Sequence, residues 1–300
     1  MKDSITNMVV ALAKGDKKIL ARCISLVENE SLGHEELMLE LNPTKSIPIV
    51  GITGPPGAGK STLISSLVSH ILLLNKKIGI LAVDPTSPFN LGSLLGDRLR
   101  MSNHFIHPNV FIRSIATRGS LGGLSSKIIE ILDVMNSSDF DYIIIETVGV
   151  GQSEIEIAGI ADTTVVVLVP EAGDEIQTIK SGIMEIADIF VVNKSDRAGA
   201  DIFVKNLEQL VHSHQQKEWS PPVIKTIATE ITGIEQLVAE IARHQSIAVN
   251  TKRAYLLTEK AYYLIQNKRM KDINKQELKV RIEAEMALPN FNIYSFIQNY

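Results

Sequence analysis

The chain has 300 residues, 45% of them hydrophobic and 21% charged, which is enough apolar material for a sizeable core and too much for a disordered polymer. Thirty Lys and Arg against 34 Asp and Glu leave a formal charge of −4, which argues against a general nucleic-acid binder. The single Cys23 excludes a disulfide framework and a cysteine-built zinc site, and the lack of a leader-like or membrane-length apolar run makes a soluble, cytoplasmic protein with no membrane partner the expectation.

Residues 1–45 read as a helical extension. Ile19, Leu20, Cys23, Ile24 and Val27 recur at helical spacing behind Gly15-Asp16, with Asp16 placed as the cap, and Ser31 to Leu41 suggests a further short helix stopped by Asn42-Pro43. Residues 46–248 then alternate short apolar runs with longer amphipathic stretches. Strands are expected at Ile47–Ile52, Ile78–Val83, Val110–Arg113, Tyr142–Glu146, Thr164–Val169, Ile189–Asn193 and Pro222–Ile227. Runs such as YIIIE and TTVVVLV are apolar on both faces, so the fold class is α/β, a doubly wound and mostly parallel sheet covered by helices on each side. The helix after Gly233, with Ile234, Leu237, Val238 and Ile241, closes this domain. In residues 249–300, Tyr255, Leu256, Tyr263 and Leu264 mark one helix, and Leu278, Ile282 and Met286 another. Nine basic against three acidic residues between Lys252 and Arg281 read as a solvated helix face rather than a polyanion site.

The segment Gly54-Pro55-Pro56-Gly57-Ala58-Gly59-Lys60-Ser61, followed by Thr62, is a full match to G-x-x-x-x-G-K-[ST] between an expected strand and an expected amphipathic helix. Glycines let backbone N–H groups fold around phosphates, and the helix N-terminus adds its positive field. Lys60 would reach the β- and γ-phosphates and the Ser61 hydroxyl would hold Mg²⁺. These features make the chain a nucleotide binder.

Asn193-Lys194-Ser195-Asp196 follows the β-type run IFVVN and resembles the guanine-recognition element of GTPases. A carboxylate suits guanine, which presents N1–H and a 2-amino group side by side; Asp196 would accept both while the Lys194 stem lies on the ring. Ile227-Ala228-Thr229 stands where GTPases place a backbone contact to the guanine oxygen. Glu146-Thr147-Val148-Gly149 ends an expected strand and resembles the D-x-x-G switch with Glu for Asp: a carboxylate near Mg²⁺ and a glycine N–H for the γ-phosphate. Asp84, closing ILAVD, and Asp97, in Gly96-Asp97-Arg98, are the other candidate Mg²⁺ ligands, Asp97 weighing equally as a helix-surface residue. Val150 follows Gly149 where many GTPases carry a water-orienting Gln, and Gln152 lies two positions on, so slow unassisted hydrolysis is expected. The pairs His104/His107 and His212/His214 lack cysteine or acidic companions and read as surface histidines rather than metal ligands.

Taken together, GDKKILARCISLVEN, GITGPPGAGKSTLI, LAVDPTSPF, LGDRLRM, ETVGVGQSE, PEAGDEIQTIKSGI and VVNKSD are similar to the MeaB-type G-protein chaperones of adenosylcobalamin-dependent methylmalonyl-CoA mutase, also known under an ArgK or LAO/AO transport ATPase label. The resemblance implies a P-loop GTPase using GTP/GDP and Mg²⁺, with Ser61, Asp84, Asp97 and Glu146 around the metal and a C-terminal arm that makes a homodimer. It implies gating of cofactor loading and protection of an acyl-CoA mutase, with the loop from Val169 to Lys180, including Asp174 and Lys180, as a third switch. Glu171 departs from the glycine expected there, adding a charge and stiffening the loop. No D-x-H-x-x-G cobalamin signature is present, so cobalamin belongs to the partner. The competing readings are a kinase or ATPase linked to amino-acid transport, disfavoured by N-K-S-D; a metal-insertion GTPase, disfavoured by the missing Cys/His cluster; and a partitioning-type ATPase, disfavoured by the absence of an early P-loop lysine.

Overall fold

The structure is a computed structural model that describes residues 2–42, 46–84, 104–116, 126–147, 157–171, 183–213, 219–248, 251–287, 291–298 and 300. Its contacts divide the chain into two compact units, Met1–Leu256 and Leu257–Tyr300. In the first, helices α1 (Lys2–Ala13), α2 (Lys17–Glu28) and α3 (His34–Glu40) precede β1 (Ile49–Thr53), α4 (Lys60–Leu73), β2 (Ile78–Asp84), β3 (Val110–Ala116), α5 (Ser126–Asn136) and β4 (Tyr142–Thr147). There follow β5 (Thr163–Leu168), α6 (Ile183–Ile186), β6 (Ile189–Asn193), α7 (Ala200–Ser213), β7 (Val223–Thr226) and α8 (Ile234–Ala248). The remaining helices are α9 (Thr251–Arg269), which runs across the division, α10 (Lys275–Met286) and α11 (Ile293–Ile297).

The seven strands form one sheet in the order β3-β2-β4-β1-β5-β6-β7. Every pairing in it is parallel, so the sheet is more uniform than the mostly parallel one expected. The side-chain alternation of the strands builds a core on each face. Ile143 and Ile145 of β4 join Leu12, Leu20, Cys23 and Val27 of the first two helices, whereas Ile144 joins Leu63, Leu67 and Ile71 of α4 and Leu237 of α8 on the other side. Along β5, Val165 and Val167 face α4 while Val166 and Leu168 pack with Phe203 and Leu207 of α7. The three N-terminal helices therefore share their core with the sheet.

Asp16 caps α2 as expected, its carboxylate accepting from Lys18 and Ile19 N–H at 2.9 and 3.0 Å. The expected Ser31–Leu41 helix is shorter because Gly33, at φ 96°, starts it at His34. Strand ends shift for local reasons. β1 begins at Ile49, because Ile47 N–H donates to Asn136 Oδ1 at 2.8 Å instead of to a strand. β3 continues past Arg113, whose guanidinium is taken up by Glu28 and Ser25 of α2 at 2.7 and 3.1 Å, so a charge that reads as a strand end is neutralised at the sheet edge. β7 stops at Thr226, because Ile227 turns out of the ladder to pair with Thr232.

Candidate functional site

Parallel strands bring their carboxyl ends to one edge, and in doubly wound sheets that edge carries the ligand crevice. The segments after β1, β6 and β7 meet there, together with the last residues of β4. Gly54 leaves β1 at φ 140°, and a Cβ on it would lie 2.1 Å from the carbonyl oxygen of Val167 in the neighbouring strand. Gly59 has φ 85°, and its Cβ would lie 2.5 Å from Asn193 Nδ2. Both positions thus require glycine for conformation and for room. Lys60 opens α4, and its ammonium donates to Gly54 O at 2.6 Å and Pro55 O at 3.0 Å, spanning the loop it follows.

The Ser61 hydroxyl donates to Glu146 Oε1 at 2.6 Å, and both side chains are buried. Beneath them Thr147 Oγ1 donates to Thr53 Oγ1 at 3.0 Å, tying the ends of β4 and β1 together. Serine hydroxyl and carboxylate form an all-oxygen donor set at the foot of the loop, a chemistry that fits a hard divalent cation such as Mg²⁺. The backbone of Asp84 closes β2, two residues past Ala82, which stands opposite Glu146. The Asp84 side chain, Asp97, Gly149, Val150, Gln152, Asp174 and Lys180 lie outside the described residues. Among the described residues no group of three or more His, Cys, Asp or Glu could hold a metal ion by itself.

Asn193 ends β6 and is 2% exposed. Its amide donates to Ala58 O at 2.8 Å, while its Oδ1 accepts from Thr226 Oγ1 at 3.1 Å and from Ala228 N–H at 3.2 Å. One amide therefore joins the glycine-rich loop, β7 and the Ile227–Thr229 segment. Lys194, at φ 57°, donates its ammonium to Gly57 O at 2.7 Å, and Ser195 N–H donates to Thr226 O at 3.1 Å. Ala228 is further held by Ser66 of α4, whose hydroxyl donates to its carbonyl at 2.6 Å, leaving Thr229 as the exposed member of that segment. Asp196 is exposed and makes no hydrogen bond or ion pair among the described residues.

The sequence reading located Asn193 but missed its bridging role, because partners 33 to 135 residues away leave no local pattern. It also missed an ion pair between Arg197 and Glu171, the residue singled out above as a departure; the Arg197 hydrogen bond holds the Glu171 carboxyl below its ordinary range. His104 corrects an expectation. It is buried, not on the surface, with Nε2 3.1 Å from both the carbonyl and the hydroxyl of Ser65, and desolvation lowers its pKa. A histidine so engaged locks the approach to β3 onto α4. His107 is half-buried and accepts from Asn109 N–H, His212 is exposed as expected, and His214 lies outside the described residues.

A seven-stranded parallel sheet with a glycine-rich loop opening its first post-strand helix and an Asn-Lys-x-Asp turn beside it defines a P-loop GTPase. The chain belongs to the methylmalonyl-CoA mutase-associated GTPase MeaB family, whose model matches residues 20–286. It is 47% identical over 254 residues to a Pyrococcus abyssi protein named as a GTPase, covering 83% of this chain and 78% of that one. It is 34% identical over 245 residues to the GTPase ArgK of Escherichia coli, covering 78% and 74%. With the mitochondrial methylmalonic aciduria type A homolog of Mus musculus it shares 36% identity over 256 residues, 78% of this chain and 61% of that protein. The crystal structure of an LAO/AO transport system kinase superposes over 100% of this chain and 97% of that one with a TM-score of 0.71 at 22% identity, a likeness of fold. The protein is accordingly a GTPase that binds a guanine nucleotide, and no described helix is long and apolar enough to cross a membrane.

Proposed function

We propose that this GTPase is a cytoplasmic chaperone that gates the loading of adenosylcobalamin onto an acyl-CoA mutase of the methylmalonyl-CoA type and protects the loaded enzyme. The observation that carries the reading is membership of the mutase-associated family over residues 20–286. In the proposed mechanism the backbone N–H groups of Gly57 to Ser61, with Thr62 in the first turn of α4, cradle the phosphates, while Pro55 and Pro56, which have no N–H, shape the loop. Lys60 exchanges the loop carbonyls it now binds for β- and γ-phosphate oxygens. Asp196 accepts the two adjacent donors of guanine, Lys194 lays its stem on the ring, and the Ile227–Thr229 segment lines the oxygen side of the base. Ser61, Glu146, Asp84 and Asp97 would hold Mg²⁺, which when bound neutralises charge on the β- and γ-phosphate oxygens. Water attacks the γ-phosphorus, the bond to the bridging oxygen breaks, and GDP and phosphate leave. Gly149 would offer its N–H to the γ-phosphate, and Gln152, standing two residues beyond Val150, is the candidate for orienting the water once the partner is engaged.

Residues 249–300 are assigned as a dimerisation arm, with 1–45 as the helical extension and 46–248 as the GTPase domain. Support comes from the burial of that arm: in Leu257–Tyr300 only Phe296 is buried among the described side chains, whereas Tyr262, Val280, Met286 and Tyr294 are 59% to 75% exposed. A second copy would cover such an apolar surface. The kinase reading is not adopted, because the Asn193–Asp196 turn suits guanine rather than adenine.

The test is single-turnover GTP hydrolysis with and without an adenosylcobalamin-dependent methylmalonyl-CoA mutase. A basal rate on the order of 10⁻³ s⁻¹ or less is expected, rising at least about tenfold with the mutase. Equal rates would leave the protein a GTPase and remove the chaperone role.

A further inference from the structure

Three of the four residues around Asp196 are tied to other parts of the site by side chain or backbone. Asn193 reaches Ala58 and Ala228, Lys194 reaches Gly57, and Ser195 N–H reaches Thr226. The fourth, Arg197, closes the turn by donating its N–H to Lys194 O at 3.1 Å, and its guanidinium is paired with Glu171. Glu171 stands three residues beyond the end of β5, the strand that separates β1 from β6 in the sheet. The turn is thus tied to the phosphate loop through Lys194 and to the β5 loop through Arg197. Lys194 also adds a smaller favourable charge effect on Glu171. Asp196 sits between those two anchors with an exposed carboxylate that nothing among the described residues engages.

We propose that the Glu171–Arg197 ion pair is a positioning device for base recognition, fixing the turn so that the Asp196 carboxylate meets both donors of guanine at once. The proposal rests on the guanine-reading role given to Asp196 above. A carboxylate that must accept from N1–H and from the 2-amino group together needs its plane and position set in advance, since each rotation left free must be frozen on binding. The pair is about half exposed on both sides, so its contribution belongs to the range of surface ion pairs. That range corresponds to about a two- to fivefold effect on affinity.

The experiment measures dissociation constants for GDP, IDP and ADP on the full chain, in the wild type, Glu171→Ala, Arg197→Ala, the double variant and Arg197→Lys. IDP lacks the 2-amino group and can offer Asp196 only N1–H. Each single alanine variant is expected to weaken GDP about two- to fivefold and IDP less, so that the preference for GDP over IDP falls. The double variant should be no worse than either single one, because the two residues act as one unit, and Arg197→Lys should recover part of the preference. Raising the salt to 1 M should bring the wild type toward the Arg197→Ala value. Lys225→Ala, which breaks the exposed pair of Lys225 with Asp201 outside the turn, should change nothing. An unchanged GDP-over-IDP preference in both single variants, or additive losses in the double, overturns the proposal. A wild type that binds GDP no better than ADP removes the guanine reading itself, and the proposal with it.

Discussion

The phosphate loop and the base loop follow β1 and β6, the two strands that flank β5, yet they are held in opposite ways. The phosphate loop, Gly54 to Gly59, is shaped by its own backbone: glycines in left-handed conformations, a helix start, and an ammonium that folds back on carbonyls five and six residues away. The base loop, Asn193 to Arg197, is shaped by side chains that reach elements 26 to 137 residues distant. A loop of the first kind is complete within one stretch of sequence. One of the second kind exists only once the sheet has formed. The two loops are also joined directly, since Asn193 and Lys194 donate to carbonyls of the phosphate loop. On the reading proposed above, phosphate handling and base recognition are therefore linked, and the two halves form one assembled frame rather than two independent sites.

The strongest way to break this comparison is Lys60→Ala. The side chain carries the proposed phosphate charge but is not part of the base loop, so hydrolysis should fall by about a hundredfold or more while the preference for GDP over ADP survives. The fold should survive too, with the unfolding midpoint within about 3 °C of the wild type. Hydrolysis near the wild-type rate would mean that the loop does not handle phosphate as proposed. Loss of base preference along with hydrolysis would show the two loops to be more tightly coupled than the hydrogen bonds imply.

A smaller and more selective effect is expected from Asp196→Asn. Replacing a charged acceptor of two hydrogen bonds should weaken GTP about 10- to 100-fold. The amide supplies a donor that suits the 2-oxo group of xanthine, so xanthosine triphosphate should gain where GTP loses. Parallel titrations of the two nucleotides decide the matter; unchanged GTP affinity would move base recognition elsewhere.

The same contrast governs what the sequence made legible. Gly54 to Ser61 and Asn193 to Asp196 are readable because their chemistry fits in eight and four consecutive residues. The strand Ile189–Asn193 is readable at both ends because polar residues, Asp188 and Lys194, bracket an apolar run. Arg113 misled the reading of β3, since only the fold supplies Glu28 and Ser25 to absorb its charge. His104 misled in the opposite way, looking like a member of a surface pair although Ser65, 39 residues earlier, buries it. Glu171 is legible as a residue that departs from the glycine expected there, but its partner Arg197 is not, because an ion pair across two loop ends has no spacing rule.

The smallest effect tests whether the segment after β7 is set by its backbone, like the phosphate loop, or by remote side chains, like the base loop. It contains two left-handed residues, Gly233 at φ 77° and Ile231 at φ 59°. Glycine is required at 233, where a Cβ would stand 2.1 Å from Lys225 O. Ile231 is different: its side chain is 54% exposed, and a β-branched residue in that conformation is a steric outlier. The turn holds it there through the mutual hydrogen bonds of Ile227 and Thr232 and the anchoring of Ala228 by Asn193 and Ser66. Left-handed backbone costs an L residue roughly 1–2 kcal/mol, and glycine returns part of that gain as extra freedom of the unfolded chain. Ile231→Gly should therefore stabilise the protein by about 0.5–1 kcal/mol in chemical denaturation, with GDP affinity within about twofold of the wild type. The anchors of Ala228 explain the second expectation, because they hold the segment whatever stands at 231. A loss of stability would show that the Ile231 side chain is itself an anchor, and would move this segment from the first kind of loop to the second.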